Sequence, residues 1–338
     1  MDELEKVREL YGEPPADPIL EARVRARLAA APRRRRWRLS WTAAVAGLAA
    51  AAAAVAITFP GVIGEAGRTE RATEISGRSI LLAAATRAES GPAATRAYWR
   101  VRKLHRQTHP EPLGRGENRY RMVESRLTEQ WASRDGRVWA GSRTLGARPR
   151  SGADAEAWRR DGSPTEWAGQ GLSTAPGEGL LNAVTDRAPF SMAGHGMSFE
   201  QIQRLPADPV ALKDRVAEVV RDVPGGSTDG VVADALSGLL WSKPSPPDVR
   251  AAAYRALAEL PNVRYLGTAK DERGRAGAAF SFTVRTTATV QRTLIIDPTS
   301  SQVLSSTDTG RPGTVGDEVE VVLEAGWTDD EPTAPGLP

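Results

Sequence analysis

One uncharged run, residues 41–59, constrains this chain more than any other feature in it. A helix over that run, at about 1.5 Å per residue, reaches about 28 Å, close to the ~30 Å hydrocarbon core of a bilayer. Ten of the nineteen residues are Ala, so the drive into lipid rests on Trp41, Val45, Leu48, Val55, Ile57 and Phe59. It amounts to roughly 1.5–3 kcal/mol on an insertion scale. Thr42 and Thr58 can bond back to helix carbonyls, and Pro60-Gly61 stops the helix. An Ala-rich helix in water would need a polar face, and this one has none. A cleavable signal peptide is the remaining alternative, since Gly64-Glu65-Ala66 loosely resembles a cleavage site. Against it stand a long leader and an apolar run longer than a usual signal core. The reading adopted is a single transmembrane helix over 41–60.

Orientation follows from charge. Arg33, Arg34, Arg35, Arg36 and Arg38 stand immediately before the span, with Trp37 and Trp41 at headgroup depth. Lys and Arg resist translocation, so the N-terminus is placed in the cytoplasm and the C-terminal domain outside. Residues 1–40 carry ten Lys/Arg and six Asp/Glu; taking that +4 from the chain's +3 leaves −1 for everything after the span. The large domain is therefore near neutral, which argues against a nucleic-acid partner. There is no Cys, so an outside domain has to be held by its core rather than by disulfides, and thiol or Cys-zinc chemistry is excluded. Five Lys against forty Arg, with long Ala runs, suggest a GC-rich genome.

The stub, 1–40, reads as two short amphipathic helices separated by Pro14-Pro15. Leu20, Val24 and Leu28 form a stripe at i, i+4, i+8, a candidate partner-binding face. Helices this short are marginal alone in water. Two readings stay open: an unstructured tail with a basic membrane-surface stripe, and a peptide that folds on a cytoplasmic partner.

Beyond the span, a helix is expected over 75–89 and then strands. Trp99 and Val101 alternate with arginines, a second strand covers about 118–131, and Asp135-Gly136 is a hairpin signal. Ten Gly in 141–197 imply long loops and short strands, with Trp158 and Trp167 anchoring them. Three helices follow. Asp208 caps the first, Gly225-Gly226-Ser227-Thr228 opens the second, and Ser245-Pro246 starts the third. Phe280, Phe282 and Val284 alternate with polar residues in the clearest strand, and further strands lie near 294–296, 303–304 and 319–323. The order helix, strands, helices, strands, with hairpin signals, gives an α+β class: a curved antiparallel sheet wrapped over helices, one domain over 61–327 with its core from about 70. The tail, 328–338, is rich in Pro and is expected to be disordered.

No motif identifies a reaction. His105 and His109 sit at i and i+4 of a strand, about 13 Å apart, and are read as exposed residues without a nearby carboxylate. His195 lies in a flexible loop. Asp271-Glu272 and Asp329-Asp330 fall in turn and tail and are read as solvated. No phosphate loop, nucleophile elbow or zinc-protease motif occurs. The expectation is a protein with no catalytic residues, no metal and no cofactor.

Several segments in order carry a resemblance: "DELEKVREL" before a proline break, the Arg cluster before the Ala-rich span, "SGRSILLAAATRAE", "LPADPVALKDRV" and "TLIIDPTSSQVLSS". On these the chain resembles a family of uncharacterised actinobacterial single-pass membrane proteins associated with regulators of extracytoplasmic-function sigma factors. The outside domain is similar to the LolA/RseB-like half-barrel. The resemblance implies a membrane-tethered sensor or regulator coupled to a cytoplasmic sigma factor; the alternative is a membrane-anchored lipid or glycolipid carrier. The stub departs from zinc-type anti-sigma factors in having no His or Cys.

Overall fold

A computed structural model describes residues 65–91, 96–167, 169–225 and 228–337, with side chains from Gly77 onward. The stripe of Leu20, Val24 and Leu28, the arginines 33–36 and 38, and the span 41–60 lie outside the described residues. Among the described residues no helix is long and apolar enough to cross a membrane.

The domain is α+β, built on one large curved sheet. Helix α1 (Glu65–Glu89) precedes strands β1 (Tyr98–Thr108), β2 (Leu113–Arg115), β3 (Asn118–Tyr120), β4 (Met122–Ser133) and β5 (Val138–Pro149). Helix α2 (Gly152–Arg160) leads to β6 (Glu166–Trp167), β7 (Leu172–Ser173), β8 (Leu180–Val184), β9 (Phe190–Met192) and β10 (His195–Met197). Helices α3 (Phe199–Gln203), α4 (Pro209–Val219), α5 (Asp229–Gly238) and α6 (Pro247–Ala258) come next. Strands β11 (Arg264–Lys270), β12 (Ala276–Arg285), β13 (Thr289–Asp297), β14 (Gln302–Thr309) and β15 (Glu318–Thr328) finish the chain. Nine strands form one antiparallel sheet in the order β11-β12-β13-β14-β15-β1-β4-β5-β8. The two strand blocks are joined where β1 pairs with β15, Tyr98 opposite Thr328. Neither block closes alone, which is why the helices between them do not divide the domain.

The helices begin where their caps dictate. Asp208 accepts from the Val210 and Ala211 amides, and Pro209 supplies the first turn of α4. Ser198 and Gln201 form a reciprocal capping box on α3. α5 packs on β12 and α6 packs on α1, α4 and α5, so Val231, Leu236, Leu239, Val249, Tyr254 and Leu257 are buried in one core with Phe280, Phe282 and Leu294. The sheet face beneath α5 is therefore filled by side chains. A second, smaller core forms under α2 from Leu113, Tyr120, Met122 and Leu172. Trp158 and Trp167 pack on it, as their sequence position suggests, and Trp167 Nε1 donates to the Tyr120 hydroxyl at 3.1 Å.

Several expectations need correction. β12 is buried on both faces, Ser281 included: α5 packs against the strand, and the Gln291 side chain bonds Ser281 and Thr283. β5 runs unbroken to Pro149 and α2 follows it, where loops are expected. Asp271 is buried, not solvated: it accepts from the Arg273 and Arg275 amides and pairs with the Arg275 guanidinium at 2.6 Å. His109 is also buried and bonds Glu124 at 2.6 Å, a partner fifteen residues away that only the β1–β4 pairing supplies. Finally, the chain after β15 is laid against the sheet. Pro335 is buried, Arg143 donates to its carbonyl at 3.4 Å, and Arg102 donates to that of Gly336 at 3.0 Å. Gly141 makes the room: a Cβ there would stand 2.9 Å from the proline ring. The composition of the tail favours disorder, but these contacts are non-local.

Candidate functional site

A cleft of about 570 Å³ opens between the end of α1, the start of β1, the α5–α6 connection and the β13–β14 turn. Its volume is within the range of small-molecule sites. Arg87, Arg96, Lys243 and Arg250 line it, and among the described residues no carboxylate does.

Each cation is placed by local structure. Arg87 is in the last turn of α1, where a positive charge suits the helix dipole. Arg96 comes just before β1. Lys243 and Ser245 lie in the connection after α5, which Pro244 and Pro246 prevent from being helical. That connection is pinned by the Ser242 hydroxyl donating to Gly238 O at 2.8 Å and by the Ser245 amide on Lys243 O at 2.8 Å. Arg250 sits near the start of α6, its amide donating to Pro246 O at 3.0 Å. The helix dipole adds to its positive field there. Gly91 lets the end of α1 approach it: a Cβ on Gly91 would lie 3.3 Å from Arg250 Nη2. The opposite wall, the turn at Ser300 and Ser301, is held by Asp297 bonds to the Thr299 amide and Ser300 hydroxyl and by Tyr254 donating to Ser301 O at 2.9 Å.

The electrostatics are one-sided. Lys243 is only 5% exposed, and its Nζ has a single weak hydrogen bond, to the Ser242 hydroxyl at 3.3 Å. Burial, with the charge of Lys103 adding to it, pushes its pKa down to about 7. Burial also lowers the pKa of Arg250. Arg250 Nε and the Ser245 hydroxyl are buried with no hydrogen-bond partner among the described residues. A group of like charges and unmet donors around an open space is arranged to receive negative charge.

The other charge clusters differ in being paired. Along β13–β15 and β1, Arg292 bridges Asp234 and Asp308, Arg311 bridges Asp308 and Glu318, and Lys103 meets Glu320 at 2.8 Å. His105 lies in that belt, half-buried, 3.5 Å from Glu318. Under the tail, Glu129 is flanked by Arg100 at 3.2 Å and Arg102 at 2.9 Å, and Arg100 stacks on Trp131. Arg102 Nε is near enough to Glu129 for charge pairing but is not angled to donate. His195 is exposed in the β9–β10 hairpin. Among the described residues no three His, Cys, Asp or Glu side chains gather as a metal site would need.

Sequence reasoning missed this cleft. Its cations are dispersed from 87 to 250, and each alone reads as a solvated surface charge. The one local signal was a Lys set between an apolar helix and a Pro-Ser-Pro-Pro run.

No family model matches the chain, and no curated protein matches it. Among solved structures, the complex structure of Pseudomonas aeruginosa MucA/MucB aligns over 77% of this chain and 59% of that one, at 10% identity and a TM-score of 0.27. The chain thus spans less than two thirds of that neighbour, and at this distance neither its fold family nor its role passes to the chain.

Proposed function

We propose that this chain is a membrane-tethered, extracytoplasmic binding protein with a regulatory rather than catalytic role, and that the cationic cleft is where its ligand sits. The observation that carries the ligand site is the set of four cations with no carboxylate among the described residues of the lining. The Ser242 hydroxyl beside Lys243 is already donating to the end of α5, which favours binding over nucleophilic chemistry. The span over 41–60 and the stripe of Leu20, Val24 and Leu28 supply the tether and the cytoplasmic contact, with a sigma factor as the proposed partner. The sheet-over-helix order also suits a half-barrel of the LolA/RseB kind. Here α5 packs on the sheet and α6 joins the same core, so a lipid or glycolipid ligand would engage the cleft by its headgroup rather than bury its chains under the sheet.

The test is thermal unfolding of the full chain in detergent with chloride, sulfate, citrate or pyrophosphate at matched ionic strength. A ligand that binds only the folded state raises the midpoint. Stabilisation by a multivalent anion that is lost in an Arg87→Gln, Arg96→Gln, Arg250→Gln variant is expected. The same response in both proteins, or none, removes the site. Recovery of no cytoplasmic protein by residues 1–40 would count against the regulatory half.

A further inference from the structure

We infer that the occupant of the cleft carries a phosphate group, as a small phosphorylated molecule or as a lipid headgroup; this rests on reading the cleft as an anion site. Donors reach the space from four separate segments: α1, the approach to β1, the α5–α6 connection and α6. A carboxylate is planar and spends its charge on two oxygens, which one guanidinium can satisfy. A terminal phosphate offers three oxygens in a tetrahedral spread and up to two negative charges, so one group can meet donors converging from several directions. Arg87, Arg96 and Arg250 supply forked guanidinium donors, and Lys243 a point charge between them in sequence. The buried, unmet hydroxyl of Ser245 adds a neutral donor, which suits an oxygen acceptor at the deep end. The cleft is several times larger than one phosphate, so the group is expected on a larger body.

Neutralising the group also answers the main cost of the site. Lys243 is buried beside other cations, and a dianion against it would favour its charged form. Binding should therefore draw a proton onto the protein near neutral pH.

The experiment is isothermal titration calorimetry of the full chain in detergent with pyrophosphate, dihexanoyl phosphatidic acid and citrate. Binding of either phosphate ligand, at least about tenfold tighter than citrate, is expected. Loss of about tenfold or more is expected in Arg250→Gln, because a charge-assisted bond is removed. Ser245→Ala should weaken binding several-fold. Arg255→Gln, whose partner Glu89 lies outside the lining, should bind as the parent does, with matching unfolding midpoints showing that each variant folds. Preference between the two phosphate ligands tells a free metabolite from a headgroup. Citrate binding as well as pyrophosphate would overturn the phosphate class while leaving the anion site; binding of none of the three would overturn both.

Discussion

Replacing Lys243 by Met tests the central electrostatic claim without a ligand. An amine with a pKa of about 7 in the folded chain and an ordinary value when unfolded binds fewer protons folded than unfolded between those limits. Stability then rises with pH through that window, because the unfolded state must give up the extra proton. The slope approaches about 1.4 kcal/mol per pH unit above the folded pKa and vanishes well below it. Between pH 6 and pH 9 the contribution changes by about 2–3 kcal/mol on that linkage. Met keeps most of the volume and removes the titration, so Lys243→Met should be the more stable protein at pH 6, with the advantage shrinking by that amount at pH 9. Urea unfolding of both proteins at the two pH values, fitted with a common m-value, measures it. Parallel pH dependences would refute the reasoning, since they would mean that the ammonium is solvated or paired with an acid in solution. Pyrophosphate added at pH 6 should reverse the ranking, as the charged Lys is then useful.

Other outcomes follow from the outer face and the core. Glu129→Ala leaves Arg100 and Arg102 only the half-exposed Glu324 as counter-charge and should cost about 3 kcal/mol in chemical unfolding, whereas Arg204→Ala, whose partner Glu200 is exposed, should cost well under 1 kcal/mol. Gly141→Val puts a side chain into the space of Pro335; the tail should detach, become open to carboxypeptidase, and lower the midpoint by on the order of 4 °C. Leu236→Ala opens a cavity in the fully buried core and should cost about 2–5 kcal/mol. For the proposed tether, neutral replacements at Arg33, Arg34, Arg35, Arg36 and Arg38 should weaken the proposed cytoplasmic placement of the N-terminus, read by protease protection in membrane vesicles.

The elements that were legible in the sequence are those set by local chemistry. The Asp208-Pro209 start of α4 and the Asp135-Gly136 turn are each specified within four residues, and the structure has both. The helices around 232–240 and 249–257 showed their apolar spacing plainly. What stayed hidden was set by pairing across the chain. β11 alternates with weakly apolar residues and is an edge strand, so it gives little signal against the turn beside it. The burial of His109 and Pro335 depends on partners brought by the sheet. The cleft is the extreme case: Arg87 and Arg250 are joined only because α1 packs along α6.

The meeting of the first and last strands at the middle of the sheet also sets the order of events when the chain is made. β1 holds β4 early, but its other edge stays open until residues 318–328 have been synthesised. Such distant pairing is slow to form, and an unpaired edge invites aggregation. If the domain emerges outside a membrane, it cannot finish folding until nearly its whole length has been exported. A ribosome-stalled or prematurely terminated product would therefore carry an exposed strand edge, a natural target for chaperones and proteases.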